Sequence, residues 1–157
     1  MDDRILHYLM PTDEIWHAGD IGDMTVVEQL EAFADKNNKT LRWVYGNIDD
    51  HKIRTVCPEF NAFKTEGINV LMTHIGGKPG KYSLPLAKKL HEISSPDILV
   101  CGHSHILLVK KDSRHNFLWL NPGACGNKGF HRVRTMIRFE IDGDNIQNLE
   151  AVELGKR

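Results

Sequence analysis

Four apolar stretches of this chain each stop at a small residue or a threonine and pass directly to a side chain that can bind a metal. The junctions are Gly19-Asp20, Gly46-Asn47, Thr73-His74 and Gly102-His103. The stretches leading into them, Glu14 to Ala18, Leu41 to Tyr45, Ile68 to Thr73 and Asp97 to Cys101, are short and apolar, which suits strands. Between them lie segments with helical spacing: Met24 to Asn37 through Val27, Leu30, Phe33 and Ala34, and Ser83 to Ile93 with Pro85 in its first turn. Strands alternating with helices imply βαβ units and parallel pairing, and ligands of such sheets collect beyond the carboxyl ends of the strands. The four polar residues are therefore expected on one rim of an α/β fold.

The fourth junction continues as Gly102-His103-Ser104-His105. On an extended backbone two imidazoles two residues apart share a face, and each neutral ring offers one lone pair to a divalent ion. The competing reading is a polar strand end, with one histidine hydrogen-bonded and the other solvated. Each other position also has an ordinary alternative: Asp20 as a loop carboxylate, Asn47 as a turn residue, His74 as a strand-end cap. Taken together, a carboxylate, an amide oxygen and imidazoles form a mixed oxygen and nitrogen set. Such a set suits manganese, iron, zinc or nickel better than calcium and lacks the thiolates of a structural zinc knot. Of the nine histidines, His7, His51, His91, His115 and His131 lie in polar or mixed surroundings and are expected to be surface residues.

The remaining chain is read as a short opening helix capped by Asp2 or Asp3 and closed by Pro11, and an extended region from Thr55 to Glu66 that turns at Glu66-Gly67 into Ile68 to Thr73. A Gly/Pro/Lys loop spans His74 to Lys81. Strands follow at Ile106 to Lys110, Phe117 to Leu120, Thr135 to Ile141 and Ile146 to Leu154, the last two joined by Asp142-Gly143-Asp144-Asn145. With 157 residues and no linker or repeat, one domain over 1–157 is expected, large enough to bury a core without disulfides. The three cysteines are odd in number and show no C-x-x-C spacing, and no leader is evident, so a cytoplasmic setting is expected. No run approaches a membrane span. A net charge of -1 offers no global attraction to a polyanion and argues against nucleic-acid binding. Lys78, Lys81 and Lys128 are read as solvated loop residues, although they could face the rim and steer an anion. Gly80-Lys81 is no phosphate loop, because Ile75 and Tyr82 stand where that pattern needs Gly and Ser or Thr, and Gly123, Gly126 and Gly129 lack the dinucleotide spacing.

Gly19-Asp20, Gly46-Asn47-Ile48-Asp49, His74 and Gly102-His103-Ser104-His105, in that order, resemble the motif blocks of the calcineurin-like metallophosphoesterases. Asn121-Pro122-Gly123-Ala124 is similar to the segment that follows the paired histidines in the small bacterial and archaeal phosphodiesterases of that superfamily. The resemblance covers nearly the whole chain. It implies a four-layer α/β/β/α sandwich of two mixed sheets and a dinuclear metal centre. Asp20 would bridge two ions, Asn47, His74 and His103 would complete one of them, and His105 would belong to the other. Asp20 and Asn47 would be the catalytic pair.

Two departures qualify what the resemblance implies. The family begins with a strand carrying D-x-H, whereas here Met1 stands directly before Asp2-Asp3. The expectation is that this strand and two ligands of the second ion are lacking, through a start-site error, a shortened chain or real divergence. An unpaired sheet edge would follow, seeking another chain or a second copy as a homo-oligomer. The second departure is Ile48, where much of the superfamily has a histidine able to protonate a leaving group. The function implied is hydrolysis of phosphodiesters by a metal-bound hydroxide, with manganese the first expected ion and zinc, iron or nickel the others. The alternative is a non-catalytic interaction scaffold resembling the metallophosphoesterase-like subunit of retromer.

Overall fold

The computed structural model describes residues 2–157. The opening helix α1 (Asp3–Leu9) is capped by the Asp2 carboxylate, which accepts from Arg4 N–H at 2.9 Å. Strand β1 (Glu14–His17) leads to helix α2 (Met24–Lys36), capped in the same way by Asp23, and its buried face is Val27, Leu30 and Ala34. Strand β2 (Thr40–Trp43) then pairs in parallel with β1, His17 opposite Trp43.

The region read as extended from Thr55 starts differently. Helix α3 (His51–Val56) is capped by Asp50 and buries Ile53, and Cys57 after it is also buried; the strand β3 (Phe60–Thr65) begins only after Pro58. Fewer than two helical turns give no period to read, so the cap was the only local sign. β3 forms the expected hairpin with β4 (Ile68–Thr73). The Gly/Pro/Lys loop is also more ordered than expected. It folds into a two-residue ribbon, β5 (Gly77–Lys78) with β6 (Lys81–Tyr82), turned at Pro79-Gly80. Helix α4 (Leu84–Glu92) follows the Ser83 cap and carries Pro85 in its first turn. The chain then runs through β7 (Ile98–Val100), β8 (Leu107–Lys111), β9 (Leu118–Pro122) and the long hairpin of β10 (Val133–Asp142) and β11 (Asn145–Lys156).

A five-stranded mixed sheet, ordered β3-β4-β7-β9-β8, lies at the centre, with β4, β7 and β9 parallel. Register sets its two faces by simple alternation. Leu71, Leu99 and Trp119 stand side by side and pack against Leu86 and Leu90 of α4. Val70, Met72, Ile98, Val100 and Leu120 occupy the opposite face and meet Ala18, Val44, Trp16, Ile137 and Phe139 from the second β layer. On β1 the neighbouring Ile15 turns the other way, joining Leu9 of α1 and Leu30 of α2. The layers are thus α4, central sheet, second β layer and the α1 to α3 group, as expected of an α/β/β/α sandwich. Each fully buried aliphatic side chain in these clusters contributes about 1.5–3 kcal/mol relative to exposure.

The second β layer is built from two separate pairs, β1-β2 and β10-β11. Among the described residues no ladder joins β1 to β10; side chains span the gap, with the Trp16 and Phe139 rings 5.4 Å apart and edge-on. Helix α1 ties to the hairpin through Arg4 Nη1 to the Leu154 carbonyl at 2.8 Å and the Arg134 to Asp2 ion pair at 2.6 Å. Among the described residues no helix is long and apolar enough to cross a membrane.

Candidate metal centre

Parallel pairing of β1 with β2, and of β4 with β7, brings Gly19-Asp20, Gly46-Asn47, Thr73-His74 and Gly102-His103 to one rim, as their spacing predicts. The small residues at these junctions have a steric reason. A Cβ on residue 46 would collide with Asp20 Oδ1 and the Asp20 backbone, and one on residue 19 would meet His74 Nδ1 at 2.5 Å. The ligand-bearing strand ends approach too closely for any side chain there.

All five candidate ligands reach this rim. His74 Nε2 stands 3.1 Å from Asn47 Oδ1 and 3.2 Å from Asp20 Oδ1. His103 Nδ1 stands 2.7 Å from the same Asn47 oxygen, and its ring meets that of His74 edge-on. His105 Nε2 is more distant, 3.9 Å from Asp20 Oδ2. Asp20 Oδ1 also accepts from Ile48 N–H at 3.3 Å, which ties the carboxylate to the second junction.

The backbone that delivers the paired histidines is not extended. His103 and His105 have φ of 64° and 56°, and Asp20 has 56°, so three of the five candidate ligands lie in the left-handed region. The shared-face reading of His103 and His105 is corrected accordingly: the chain leaves β7 at Val100 and bends through this segment. The bend aims His103 at Asn47 and His105 at Asp20, which one face of a strand could not do. Non-glycine residues in that region carry a cost and cluster at functional sites, where the surrounding structure holds them. Asn121 supplies part of that hold. Its amide donates to the Gly102 carbonyl at 2.7 Å and to Ser104 Oγ at 3.1 Å, while its oxygen accepts from Gly123 N–H.

The chemistry of the donor set can be tested on His74. Its Nδ1 lies 2.7 Å from the Ala18 carbonyl oxygen, which can only accept, so Nδ1 carries the proton. In the neutral ring Nε2 is then a bare lone pair, yet it faces two oxygens, on Asn47 and Asp20. Either a second proton or a cation between them resolves this opposition. Burial works against the second proton, holding His74 below its ordinary pKa, although the Ala18 carbonyl and Asp20 pull in the other direction. A divalent ion fits. Donors each about 2.1 Å from one ion stand roughly 3.0–3.4 Å apart, and the separations here fall in and around that range. The Ala18 carbonyl is the outer partner that fixes a ligating histidine's tautomer. Counting only His, Cys, Asp and Glu, no group of three among the described residues forms a ready ligand set, and the Asn47 amide is what links the histidines.

Three residues carry roles that the sequence did not assign. Asp49, buried, accepts from Gly22 N–H at 2.7 Å and Gly46 N–H at 2.6 Å, locking the first two junctions together behind the ligands. His17 lies near Asp20, Asp49 and His74, and burial pushes its imidazole toward the neutral form. His131, read as a surface residue, is half-buried and meets the His105 ring edge-on with centroids 5.3 Å apart. No local pattern announces these contacts, although Asp49 lies within the Gly46-Asn47-Ile48-Asp49 block. Lys78, Lys81 and Lys128 are exposed.

Comparison with known proteins finds a matching family and structures of the same fold. The family model described as the calcineurin-like phosphoesterase superfamily domain matches residues 1–144. No curated protein matches the chain significantly. Among solved structures, a Thermotoga maritima protein determined by NMR is 26% identical with TM-score 0.71, covering 98% of this chain and 88% of its own. A zinc complex of Vps29 from Entamoeba histolytica is 16% identical with TM-score 0.68, covering 98% and 89%. A structure described as a novel archaeal phosphodiesterase is 15% identical with TM-score 0.64, covering 96% and 88%.

Proposed function

Because the chain belongs to the calcineurin-like phosphoesterase superfamily, we propose that it hydrolyses phosphodiesters with a divalent ion, manganese ahead of zinc, iron or nickel. The observation that carries this reading is the bare Nε2 of His74 facing the Asp20 and Asn47 oxygens on a rim that His103 and His105 also reach. An ion bound there would activate water and neutralise charge on the phosphoryl oxygens. The chain's own residues prepare for it. Ala18 orients His74, Ile48 N–H orients the Asp20 carboxylate, and Asp49 fixes the two junctions that present Asp20 and Asn47. A cavity of about 210 Å³ adjoins Asn47 and His74, with Tyr45, Ile75 and Pro85 among its walls, and leaves room for one ester group beside the ligands.

Ile48 is 58% exposed and offers no proton to a departing alkoxide. Esters whose leaving group is stable as an anion should therefore turn over best. The test is steady-state hydrolysis of bis(4-nitrophenyl) phosphate and of an alkyl phosphomonoester, each with and without manganese. Manganese-dependent turnover that favours the aryl diester supports the proposal; faster turnover of the alkyl monoester overturns it.

A second reading, an interaction platform, has its own observation. Ile48, Ile75 and Ile106 each directly follow a candidate ligand and are 58%, 43% and 66% exposed, and Phe130 on the loop against His105 is 100% exposed. Exposed apolar side chains gathered about a polar centre are a docking signature. No turnover of any phosphodiester with manganese, together with loss of partner capture on Ile106→Ser, would favour it.

A further inference from the structure

Among the described residues one buried side-chain polar atom has no hydrogen-bond partner: His131 Nδ1. The other ring nitrogen, Nε2, lies 2.9 Å from the Gly126 carbonyl oxygen. A carbonyl only accepts, so Nε2 carries the proton, and in the neutral ring Nδ1 is an acceptor hidden from water with nothing donating to it. Native structures rarely leave such an atom unexplained.

The ring next to it is His105, centroids 5.3 Å apart and planes inclined by 75°. Gly129 marks where the two edges face. A Cβ at that position would strike His105 Nδ1 and stand 3.1 Å from His131 Nδ1, so both Nδ1 atoms border one small space that the missing side chain keeps open. His105 is thus divided between two neighbours, with Nε2 toward Asp20 Oδ2 and Nδ1 toward His131. For Nε2 to offer a lone pair on the Asp20 side, Nδ1 must hold the proton, and that proton needs an acceptor. His131 has an acceptor that needs a proton donor.

We propose that His131 is a positioning residue for His105, its Nδ1 accepting a hydrogen bond from His105 Nδ1–H and thereby holding His105 with a bare Nε2 turned to Asp20. The rings meet edge-on, and the proposed bond requires the two Nδ1 atoms to close across the space beside Gly129. The relation is the one Ala18 bears to His74, where an acceptor behind the ring fixes which nitrogen faces inward. Here the acceptor is itself fixed, through its second nitrogen, by the Gly126 carbonyl.

The proposal rests on the metal-centre reading for its purpose, but it is testable without any ion. Long-range proton–nitrogen NMR correlations on the metal-free full-length protein, at roughly pH 8 where imidazoles are neutral, report the tautomer of each ring. His105 is expected as the Nδ1–H form and His131 as the Nε2–H form. His131→Phe keeps a ring but removes the acceptor and should move His105 toward the Nε2–H form, whereas His131→Gln keeps an acceptor and should restore Nδ1–H. In calorimetric titration with manganese, the Phe variant should lose about tenfold in affinity for the ion that His105 would hold and the Gln variant less. A parent protein with His105 as the Nε2–H form, or a folded His131→Phe with an unchanged His105 tautomer, overturns the proposal. If the tautomers behave as expected while manganese does not bind, the positioning role stands and the metal-centre reading falls.

Discussion

The Asn121 amide donates to the Gly102 carbonyl at 2.7 Å, so a residue on β9 holds the turn on which His103 and His105 are carried. Asn121 is 3% exposed, and its three hydrogen bonds have little access to water to replace them.

Asn121→Ala should therefore cost about 1–3 kcal/mol for the buried groups left unpaired. Thermal melting should register it as a lowered midpoint. Because the left-handed turn loses its support, manganese affinity should fall as well, and a variant that melts lower but binds manganese unchanged would show that Asn121 serves stability alone.

Asp20→Asn keeps the shape of the side chain and removes its charge. As the carboxylate faces both His74 and His105, manganese affinity and turnover of the aryl diester should both drop by roughly a hundredfold. A variant that binds and turns over like the parent would remove Asp20 from the centre.

The donors are unevenly shared. Asp20, Asn47, His74 and His103 converge within 2.7–3.2 Å contacts, whereas His105 reaches this set only through Asp20 Oδ2 at 3.9 Å. After dialysis against manganese and then buffer, elemental analysis should find close to one equivalent. A second ion should enter only at higher concentration and leave readily.

Stability without metal should depend on pH near neutrality. Burial lowers the pKa of both His17 and His74 from the ordinary 6.5, so the unfolded chain takes up these protons more readily than the folded one. The contribution is complete above about pH 6.5 and is lost as pH falls from there toward the lowered folded values. Glu14 and Asp2, lowered from 4.5 and 3.8, add a separate loss only in more acidic solution. Melting temperatures measured with chelator from pH 8 downward should first decline near 6.5, and His17→Asn should flatten that decline.

The rim was legible because each junction is local. A strand of apolar residues, a small residue and a ligand lie within a few positions, and parallel pairing does the rest. The helical stripes of α2 and α4 were legible for the same reason, with Asp23 and Ser83 marking their starts. What sequence could not supply was conformation against propensity and contact across the chain. His103 and His105 are not glycines, and nothing in Gly-His-Ser-His announces a positive φ; the Asn121 bonds that accompany it come from about twenty residues away. The short α3 lacks a period, and His131 belongs to no motif, so its contact with His105 depends on how the loop after β9 folds back.

The split second layer changes what an ion would do mechanically. Asp20 and Asn47 hang from β1-β2, while His74, His103 and His105 hang from the five-stranded sheet, and among the described residues no backbone ladder connects those two bodies. A cation gripped by both sets would act as a rivet between plates that otherwise adhere through packed side chains and a few bonds such as Tyr45 N–H to the Pro58 carbonyl at 3.0 Å. Amide hydrogens along β1 and β2 should then exchange markedly faster in chelator than in manganese, while those of β4 and β7, sealed inside the larger plate, should hardly notice the difference.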